Sequence, residues 1–449
     1  MMKILEIAVM LSSVLGLGYL LWRSYWVFAI VILMWPLEQL LQTYVPYLAY
    51  NEWVTNYLIA ILAMVAVASR FMRGDPIFVG YVNRVWLLTI ALYVLWLFGH
   101  LWSPAADIMV PKLGFNLRYQ VFLLAVLPLL ITDLRDFTRL ATGIMVLGTA
   151  ISVLILINPR TSYWGGRLIL DFGMKGNLGE RGNPLAVAEM GGLMALIAAL
   201  IQFPQARAKT TILRVAAFVF GLGVAIGSGS RGQVLAAGIA GVLFYPMARR
   251  LANPRQFFAV LIGFLFLVAG VYIVFQLFVN IQNEERWTIA NLFRDTLLRM
   301  HYVDLLFTRY LDEPAKWLLG LGTGAFAVVS EERGTYYVHN VAAEILCENG
   351  LIAFGIFLVI CVFVVKDGLV MWRDNREDDQ SRSSAALLMA ICLYALLLAL
   401  KQGTIAYPAP FFWWVIMCKV AYFERRLVAG SEMAIDEPID ELPARLAMR

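Results

Sequence analysis

The chain is organised around the stretch Tyr336-Tyr337-Val338-His339-Asn340-Val341-Ala342-Ala343-Glu344-Ile345-Leu346-Cys347-Glu348-Asn349-Gly350-Leu351-Ile352-Ala353-Phe354-Gly355. It lies where a long polar segment meets a strongly apolar one, and it carries a histidine, asparagines and two carboxylates. Titratable groups at the end of a membrane span are costly and mark functional sites. The stretch therefore predicts a site at the membrane surface, where chemistry on a lipid-linked substrate would need such groups.

The composition is that of a polytopic membrane protein. Of the 449 residues, 61% are hydrophobic and 15% are charged, and the mean hydropathy is +0.74. A soluble domain with a polar surface does not reach these values. The first apolar segment, 4–22, lacks a basic n-region and a small-residue cleavage site. It is therefore predicted to remain as a span rather than to be a cleaved signal peptide.

The apolar runs predict an all-α fold. They cover 4–22, 26–48, 54–69, 85–102, 119–131, 138–157, 185–203, 212–228, 231–245, 257–279, 341–365, 385–400 and 405–423. A bilayer admits only helices or closed barrels, and these runs lack the alternation of a barrel. We therefore predict about 12 or 13 transmembrane helices, which together form one transmembrane domain over 1–424. The short runs 119–131 and 231–245 indicate tilt, re-entry or burial in the bundle.

The basic residues in short loops predict the orientation. Four groups of them fall on one side by helix count, and a basic side is cytoplasmic. These groups are Arg70, Arg73 and Arg84; Arg207, Lys209 and Arg214; Arg249, Arg250 and Arg255; and Arg425 with Arg426. The acidic tail 425–449 is predicted to join them there and to be disordered.

The opposite side carries the longer loops, predicted at 103–118, 158–184, 229–232, 280–338 and 401–404. The loop 280–338 is too long for a simple connection and is the natural functional element. Apolar residues recur in its middle with arginines between them, which predicts an amphipathic helix at the membrane surface. Gly320-Leu321-Gly322-Thr323-Gly324 then predicts a turn.

Three arginines on this outer side are candidates for binding an anion: Arg181, Arg231 and Arg299. Arg231 lies between two apolar runs with almost no loop, where an arginine is costly unless an anionic group pairs with it. Arg181 and Arg231 are each followed by a glycine, which lets backbone approach a ligand. A structural ion pair or snorkelling to the interface explains any one of them alone. Their occurrence on the side of His339 favours a diphosphate site.

His339 is the candidate general base. A neutral imidazole there could take a proton from a hydroxyl near neutral pH, although a single histidine is more often structural. Asn340 follows it, and Glu344 or Glu348 could orient it or bind a sugar. The other histidines, His100 and His301, are predicted to be structural, with His301 near enough to Arg299 to line the same cavity.

A metal site is the less favoured alternative. No pair of histidines has ligand spacing, and Glu344 lies five positions after His339, off its helical face. The predicted outer loops contain no Asp-x-Asp pair. Arginines rather than a metal ion are therefore expected to stabilise a departing diphosphate, and no cofactor is predicted.

Four blocks of residues resemble the O-antigen ligase and Wzy-type polysaccharide polymerase superfamily, across 179–357. They are Arg181-Gly182-Asn183-Pro184; Ser230-Arg231-Gly232; Arg299 followed by Leu318-Leu319-Gly320-Leu321-Gly322-Thr323-Gly324; and His339-Asn340 with Glu348-Asn349-Gly350. The resemblance implies a metal-independent, inverting glycosyltransferase at the periplasmic face of the bacterial inner membrane. Arg181, Arg231 and Arg299 would hold the diphosphate of an undecaprenyl-linked glycan donor, and His339 would activate the acceptor hydroxyl.

The acceptor remains open at this point. A ligase passes the glycan to lipid A core, whereas a polymerase passes it to another lipid-linked repeat unit, and both share these motifs. A transporter or flippase for lipid-linked sugar is the alternative from another class. It would need no base and would predict ionisable groups near the midplane of several spans, together with an internal repeat.

Overall fold

The computed structural model describes residues 23–172, 182–203, 208–251, 253–279, 288–330, 337–407 and 409–436, and these residues are almost entirely helical. The α-helices are α1 (Ser24–Ile32), α2 (Met34–Tyr44), α3 (Pro46–Tyr50), α4 (Glu52–Met72), α5 (Arg84–Phe98), α6 (Ala106–Val121), α7 (Leu134–Ile157), α8 (Pro184–Leu200), α9 (Ala208–Gly227), α10 (Arg231–Ala248), α11 (Pro254–Val279), α12 (Ile289–Leu311), α13 (Phe326–Val329), α14 (Val341–Asp374), α15 (Asp379–Gln402) and α16 (Ala409–Asp436). A small antiparallel hairpin, β1 (Thr161–Trp164) and β2 (Arg167–Leu170), pairs Thr161 with Leu170.

The predicted all-α polytopic membrane fold is confirmed. Within the described residues, seven helical segments are long and apolar enough to cross a membrane. These segments are Glu52–Met72, Arg84–Trp102, Ala106–Leu130, Leu134–Ile157, Ala208–Gly227, Val341–Asp374 and Asp379–Gln402. An eighth would be the pair α1 and α2, which passes the same test together but is bent by 75°.

This count is lower than the predicted 12 or 13, in part because some predicted spans are not fully described and in part because the helices differ from the apolar runs. The first predicted span, 4–22, lies outside the described residues. Helix α8 has only 17 residues, and the apolar run 26–48 is divided by the bend between α1 and α2. The predicted outer loop 103–118 is wrong, because α6 begins at Ala106 and continues through a π-helical turn, Phe122–Val126. Backbone hydrogen bonding continues a helix through polar residues that end an apolar run.

The basic ends of several helices meet at one end of the bundle, as the loop charges predict. Gln202, after α8, donates from Nε2 to the backbone oxygen of Ala248 at the end of α10 (2.5 Å). Arg250 donates to the backbone oxygen of Glu377, between α14 and α15 (2.7 Å). The other ends of these four helices therefore lie at the opposite end of the bundle. Helix α16 runs through position 425, where the acidic tail was predicted to begin, and 437–449 lie outside the described residues.

Helix α14 is broken at Gly350, and the predicted glycine turn fills the break. Gly350 has φ 81° and ψ −179°, so the helical hydrogen bonding is interrupted there. The N–H of Leu351 donates to the oxygen of Trp317 (2.8 Å), and the N–H of Gly322 donates to the oxygen of Glu348 (2.9 Å). The turn thus satisfies backbone groups that the break leaves without helical partners.

Replacing Gly350 with alanine is expected to lower the free energy of unfolding by at least about 2 kcal/mol. The added Cβ would overlap the amide nitrogen of Gly320 (2.5 Å) and would need a left-handed backbone. Gly355→Ala in the same helix is the matched control, because its Cβ would have nothing within 4 Å. Thermal unfolding of the purified proteins in detergent measures the difference. Equal melting temperatures for the two variants would contradict the expectation.

Candidate functional site

His339 lies in a strained turn directly before α14. Its φ of 59° makes it the one non-glycine residue with positive φ in the part of the chain that the structure describes. The next residue, Asn340, caps α14 by accepting hydrogen bonds from the N–H groups of Ala342 (3.1 Å) and Ala343 (3.0 Å). Asn340 therefore supports the site by beginning the helix. Strained backbone of this kind clusters at functional sites.

Two tyrosine rings and two cations surround the imidazole of His339. Its ring centroid lies 4.2 Å from that of Tyr337 and 6.4 Å from that of Tyr302. Burial lowers the pKa of His339, and the positive charges of Arg299 and Lys401 lower this pKa further. A lowered pKa keeps the imidazole neutral near neutral pH, which is the form that accepts a proton.

One face of α12 connects His339 with the start of α10. The helical spacing places Asp295, Arg299 and Tyr302 on the same side of α12. Tyr302 is buried in a cluster that includes Val338, next to His339 in the chain. Arg299, which is half-buried, lies close enough to lower the pKa of His339. The amphipathic helix predicted in the loop 280–338 is therefore present and carries one of the three candidate arginines into the site.

Arg231 is the first residue of α10, and its guanidinium group lies against α12. Nη2 donates to Oδ2 of Asp295 (2.8 Å) and to the backbone oxygen of Asn291 (3.4 Å). The side chain is 14% exposed, and its Nη1 is buried without a hydrogen-bond partner among the described residues. The structural ion pair considered for this residue is thus present. It uses one edge of the guanidinium group and leaves Nη1 for another acceptor.

The third arginine, Arg181, lies outside the described residues. The two residues that follow it are described. Gly182 donates from its N–H to the oxygen of Leu170 in β2 (2.9 Å), and the Asn183 side chain accepts from the N–H of Leu185 at the start of α8 (2.9 Å). The start of α8 therefore belongs to the same end of the bundle as His339, because α8 and α10 run in the same direction.

The two carboxylates of the central stretch have structural partners rather than His339. Glu348 is 1% exposed, and its oxygens accept from the N–H groups of Gly324 (2.6 Å) and Phe326 (3.0 Å). Glu344 is also buried and accepts from the hydroxyl of Thr404 (2.6 Å). Among the described residues neither carboxylate forms a hydrogen bond with His339, and their expected roles, orienting His339 or binding a sugar, stay predictions. Glu348 attaches the glycine turn to α14.

Lys401 is a site residue that the sequence reasoning missed. Its Nζ donates to Oε1 of Gln233 (3.0 Å) and to Oε1 of Gln402 (3.2 Å), at the end of α15. Its side chain lies against Gly232, beside Arg231, so closely that a Cβ on this glycine would overlap it. The sequence offered one indication of its role: Lys401 directly follows the apolar run 385–400 and lies in the loop 401–404, which was predicted to face outward.

A cavity of about 1110 Å³ adjoins the site. Tyr337, whose ring contacts that of His339, also lines the cavity, as do Asn183 of α8 and Tyr407. Burial raises the pKa of Tyr337, the neighbouring Tyr407 and Glu344 raise it further, and Arg299 lowers it. Tyr337 therefore links the surroundings of His339 to this cavity, which Gln402, a hydrogen-bond partner of Lys401, also lines.

Among the described residues, no group of three or more His, Cys, Asp and Glu side chains is arranged to hold a metal ion. The side chains at this end of the bundle are cations and an imidazole. Two guanidinium groups and one ammonium group can bind a diphosphate through charge-assisted hydrogen bonds. A neutral imidazole next to them can accept a proton. No protein-family model and no curated protein matches the chain.

Proposed function

We propose that this chain is a membrane glycosyltransferase of the O-antigen ligase or polysaccharide polymerase type. It moves a glycan from an undecaprenyl-diphosphate donor to an acceptor hydroxyl, at the periplasmic side of the bacterial inner membrane. One observation carries the proposal: Arg299 and Lys401, from two different helices, lie near a half-buried His339 and lower its pKa, and Arg231 pairs with Asp295 on the face of α12 that carries Arg299. A binding site for an anion alone would not need the base.

These groups can carry out the transfer as a single displacement. The acceptor oxygen forms a bond to the anomeric carbon of the donor while the bond from this carbon to the diphosphate oxygen breaks. The electron pair of the broken bond leaves with the diphosphate, and the hydroxyl proton passes to His339. Fixed cations stabilise the developing negative charge of the leaving group more than they stabilise the ground state. A single displacement of this kind inverts the anomeric configuration.

Transfer in a defined membrane tests the proposal. The purified protein is reconstituted in liposomes with glycan-bearing undecaprenyl diphosphate extracted from the source cell and with the acceptor fraction of the same envelope. We expect the glycan to move to the acceptor and undecaprenyl diphosphate to be released in equal amount. If the lipid-linked glycan only changes leaflet and stays intact, the chain is a transporter and the proposal fails.

The envelope glycans of a deletion strain separate the ligase from the polymerase. Loss of the polysaccharide ladder with one repeat unit retained would identify a polymerase. Accumulation of long lipid-linked chains would identify a ligase. Both outcomes agree with the site, because either reaction needs the same leaving group and the same base.

Replacing Lys401 with methionine is expected to shift the acid limb of the pH–rate profile to higher pH. The charge of Lys401 lowers the pKa of His339, so its removal raises this pKa, and the base becomes protonated at a higher pH than in the wild type. Arg299 continues to lower the pKa in this variant, which limits the shift. The profile of kcat/KM against pH measures it, with Lys316→Met, a lysine paired with Glu313, as the matched control. An unchanged acid limb would mean that Lys401 does not act on the base.

A further inference from the structure

The cavity beside Tyr337 differs in charge from the group around His339. Its lining includes three carboxylates, those of Glu38, Glu52 and Glu189, and one arginine, Arg118. The guanidinium group of Arg118 donates to the hydroxyl of Tyr57 (2.7 Å). The rest of the lining is aromatic, aliphatic or neutral polar. Acidic side chains outnumber basic ones in this lining, so a diphosphate is less favoured here than beside Arg299 and Lys401.

Three of the lining residues carry buried polar atoms that have no hydrogen-bond partner among the described residues. Glu38 on α2 is 5% exposed, and its Oε1 has no hydrogen-bond partner among the described residues. The same is true of Oδ1 of Asn56 on α4 and of the hydroxyl of Tyr119. Leaving such groups unpaired costs free energy. An occupant with several hydroxyl groups would donate to the carboxylate and the amide oxygen and would thereby recover this cost.

Aromatic rings line the same part of the cavity. The rings of Trp35 and Tyr119 are stacked, with centroids 6.0 Å apart and planes inclined by 18°. Trp53 and Tyr57 on α4 form a second pair at 5.9 Å, edge to face. Flat apolar rings beside acceptor oxygens match a molecule with apolar C–H faces and a rim of hydroxyl groups, which is the surface of a sugar ring.

Glu189 adds a carboxyl group from a second helix to the lining. It lies one turn into α8, and its side chain is exposed to the cavity although α8 is an inner helix of the bundle. An occupant held between Glu38 and Glu189 would reach toward Tyr337, whose ring contacts that of His339.

We infer that this cavity binds the acceptor saccharide, with Glu38, Asn56 and Glu189 accepting hydrogen bonds from its hydroxyl groups and the neighbouring aromatic rings packing against its faces. The inference rests on the proposed function, because it assigns the second substrate of the same transfer. The diphosphate then lies with Arg231 and Arg299, the sugar that receives the glycan lies in the cavity, and Tyr337 stands between them beside the base. The diphosphate of the donor thus binds among basic side chains, and the acceptor sugar binds where acidic side chains predominate.

The double variant Glu38→Gln with Glu189→Gln tests the inference. Loss of both carboxyl groups is expected to lower kcat/KM for the acceptor by about tenfold to a hundredfold, while binding of undecaprenyl diphosphate stays unchanged. Saturation-transfer NMR on the protein in nanodiscs supplies a second readout. Its probe is the oligosaccharide released by mild acid from the surface polysaccharide of the source cell. We expect the wild type to give a saturation-transfer signal and the double variant to lose it.

Glu377→Gln is the matched control, because it makes the same chemical change at an 83% exposed position at the opposite end of the bundle. Thermal unfolding of each variant verifies that it folds. Wild-type transfer by the double variant would overturn the inference and leave the proposed function intact. Joint loss of undecaprenyl diphosphate binding would also overturn it, since the cavity would then belong to the donor. A saccharide signal without any transfer by the wild type would instead remove the proposed function and keep a sugar-binding cavity.

Discussion

Replacing His339 with asparagine is expected to lower the rate of glycan transfer by about 10²- to 10⁴-fold, the usual contribution of a general base. Asparagine is the informative substitution because it tolerates the left-handed backbone that His339 adopts, with φ 59°. It removes the base without changing the entry into α14. His339→Ala should abolish transfer as well, with some added loss of stability from backbone strain. Reconstituted transfer, measured under saturating donor, gives the rate.

His301→Asn is the matched control for this experiment. His301 lies on α12 near Arg299, but its side chain is exposed, and it has no part in the proposed proton transfer. We expect this variant to transfer glycan at the wild-type rate. Membrane insertion and thermal unfolding should be the same for both variants. Wild-type transfer by His339→Asn would remove His339 from the mechanism, whereas equal losses at both positions would indicate a structural effect of α12 and its neighbours.

Replacing Arg231 is expected to have the second large effect. Removal of one group that stabilises developing negative charge costs about 10²- to 10³-fold in rate, and Arg231→Ala should fall in this range. Arg231→Lys should also weaken donor use, because lysine lacks the planar fork that can bind Asp295 through one edge and a phosphate through the other. Full activity of Arg231→Lys would mean that only a point charge is needed.

A charge exchange separates binding of the donor from the ion pair seen in the structure. In the variant Arg231→Asp with Asp295→Arg, the carboxylate and the guanidinium group can still pair between α10 and α12. The melting temperature should therefore exceed that of either single variant, as a coupling energy between paired residues requires. Transfer should remain lost, because the guanidinium group is now attached to α12 instead of α10 and no longer occupies the position of Arg231. Recovery of both stability and transfer would show that Arg231 is only a structural residue.

Local properties of the chain were sufficient for the fold class. Hydrophobic content, run length and the amphipathic pattern in 280–338 depend on residues near one another in sequence, and they correctly predicted the membrane helices and α12. The number of spans was less predictable. The length of an apolar run indicates how much of a helix can contact lipid, not where the helix begins and ends. Helix α6 continues through polar residues. Helices α1 and α2 are separate although they come from one apolar run.

The arrangement of the site was only partly accessible. The position of His339 at the junction of polar and apolar segments indicated a site, and Asn340 was recognised as its support. The hydrogen-bond partners of Glu344 and Glu348 could not be predicted, because each forms its bonds with backbone or hydroxyl groups from distant segments. Lys401 was overlooked, since its approach to His339 depends on where α15 ends relative to α12 and α14.

The sequence by itself determined that this protein is a bundle of membrane helices with basic and titratable residues gathered at the helix ends, because the bilayer imposes length and polarity on each span separately. Only the tertiary structure decided which of those residues meet. Arg231 and Asp295 pair across 64 positions, and the turn at Gly320 fills the break at Gly350. The cavity that Glu38 and Glu189 line is likewise formed only in the tertiary structure. Such contacts depend on the packing of whole helices against one another, which no local pattern of residues encodes.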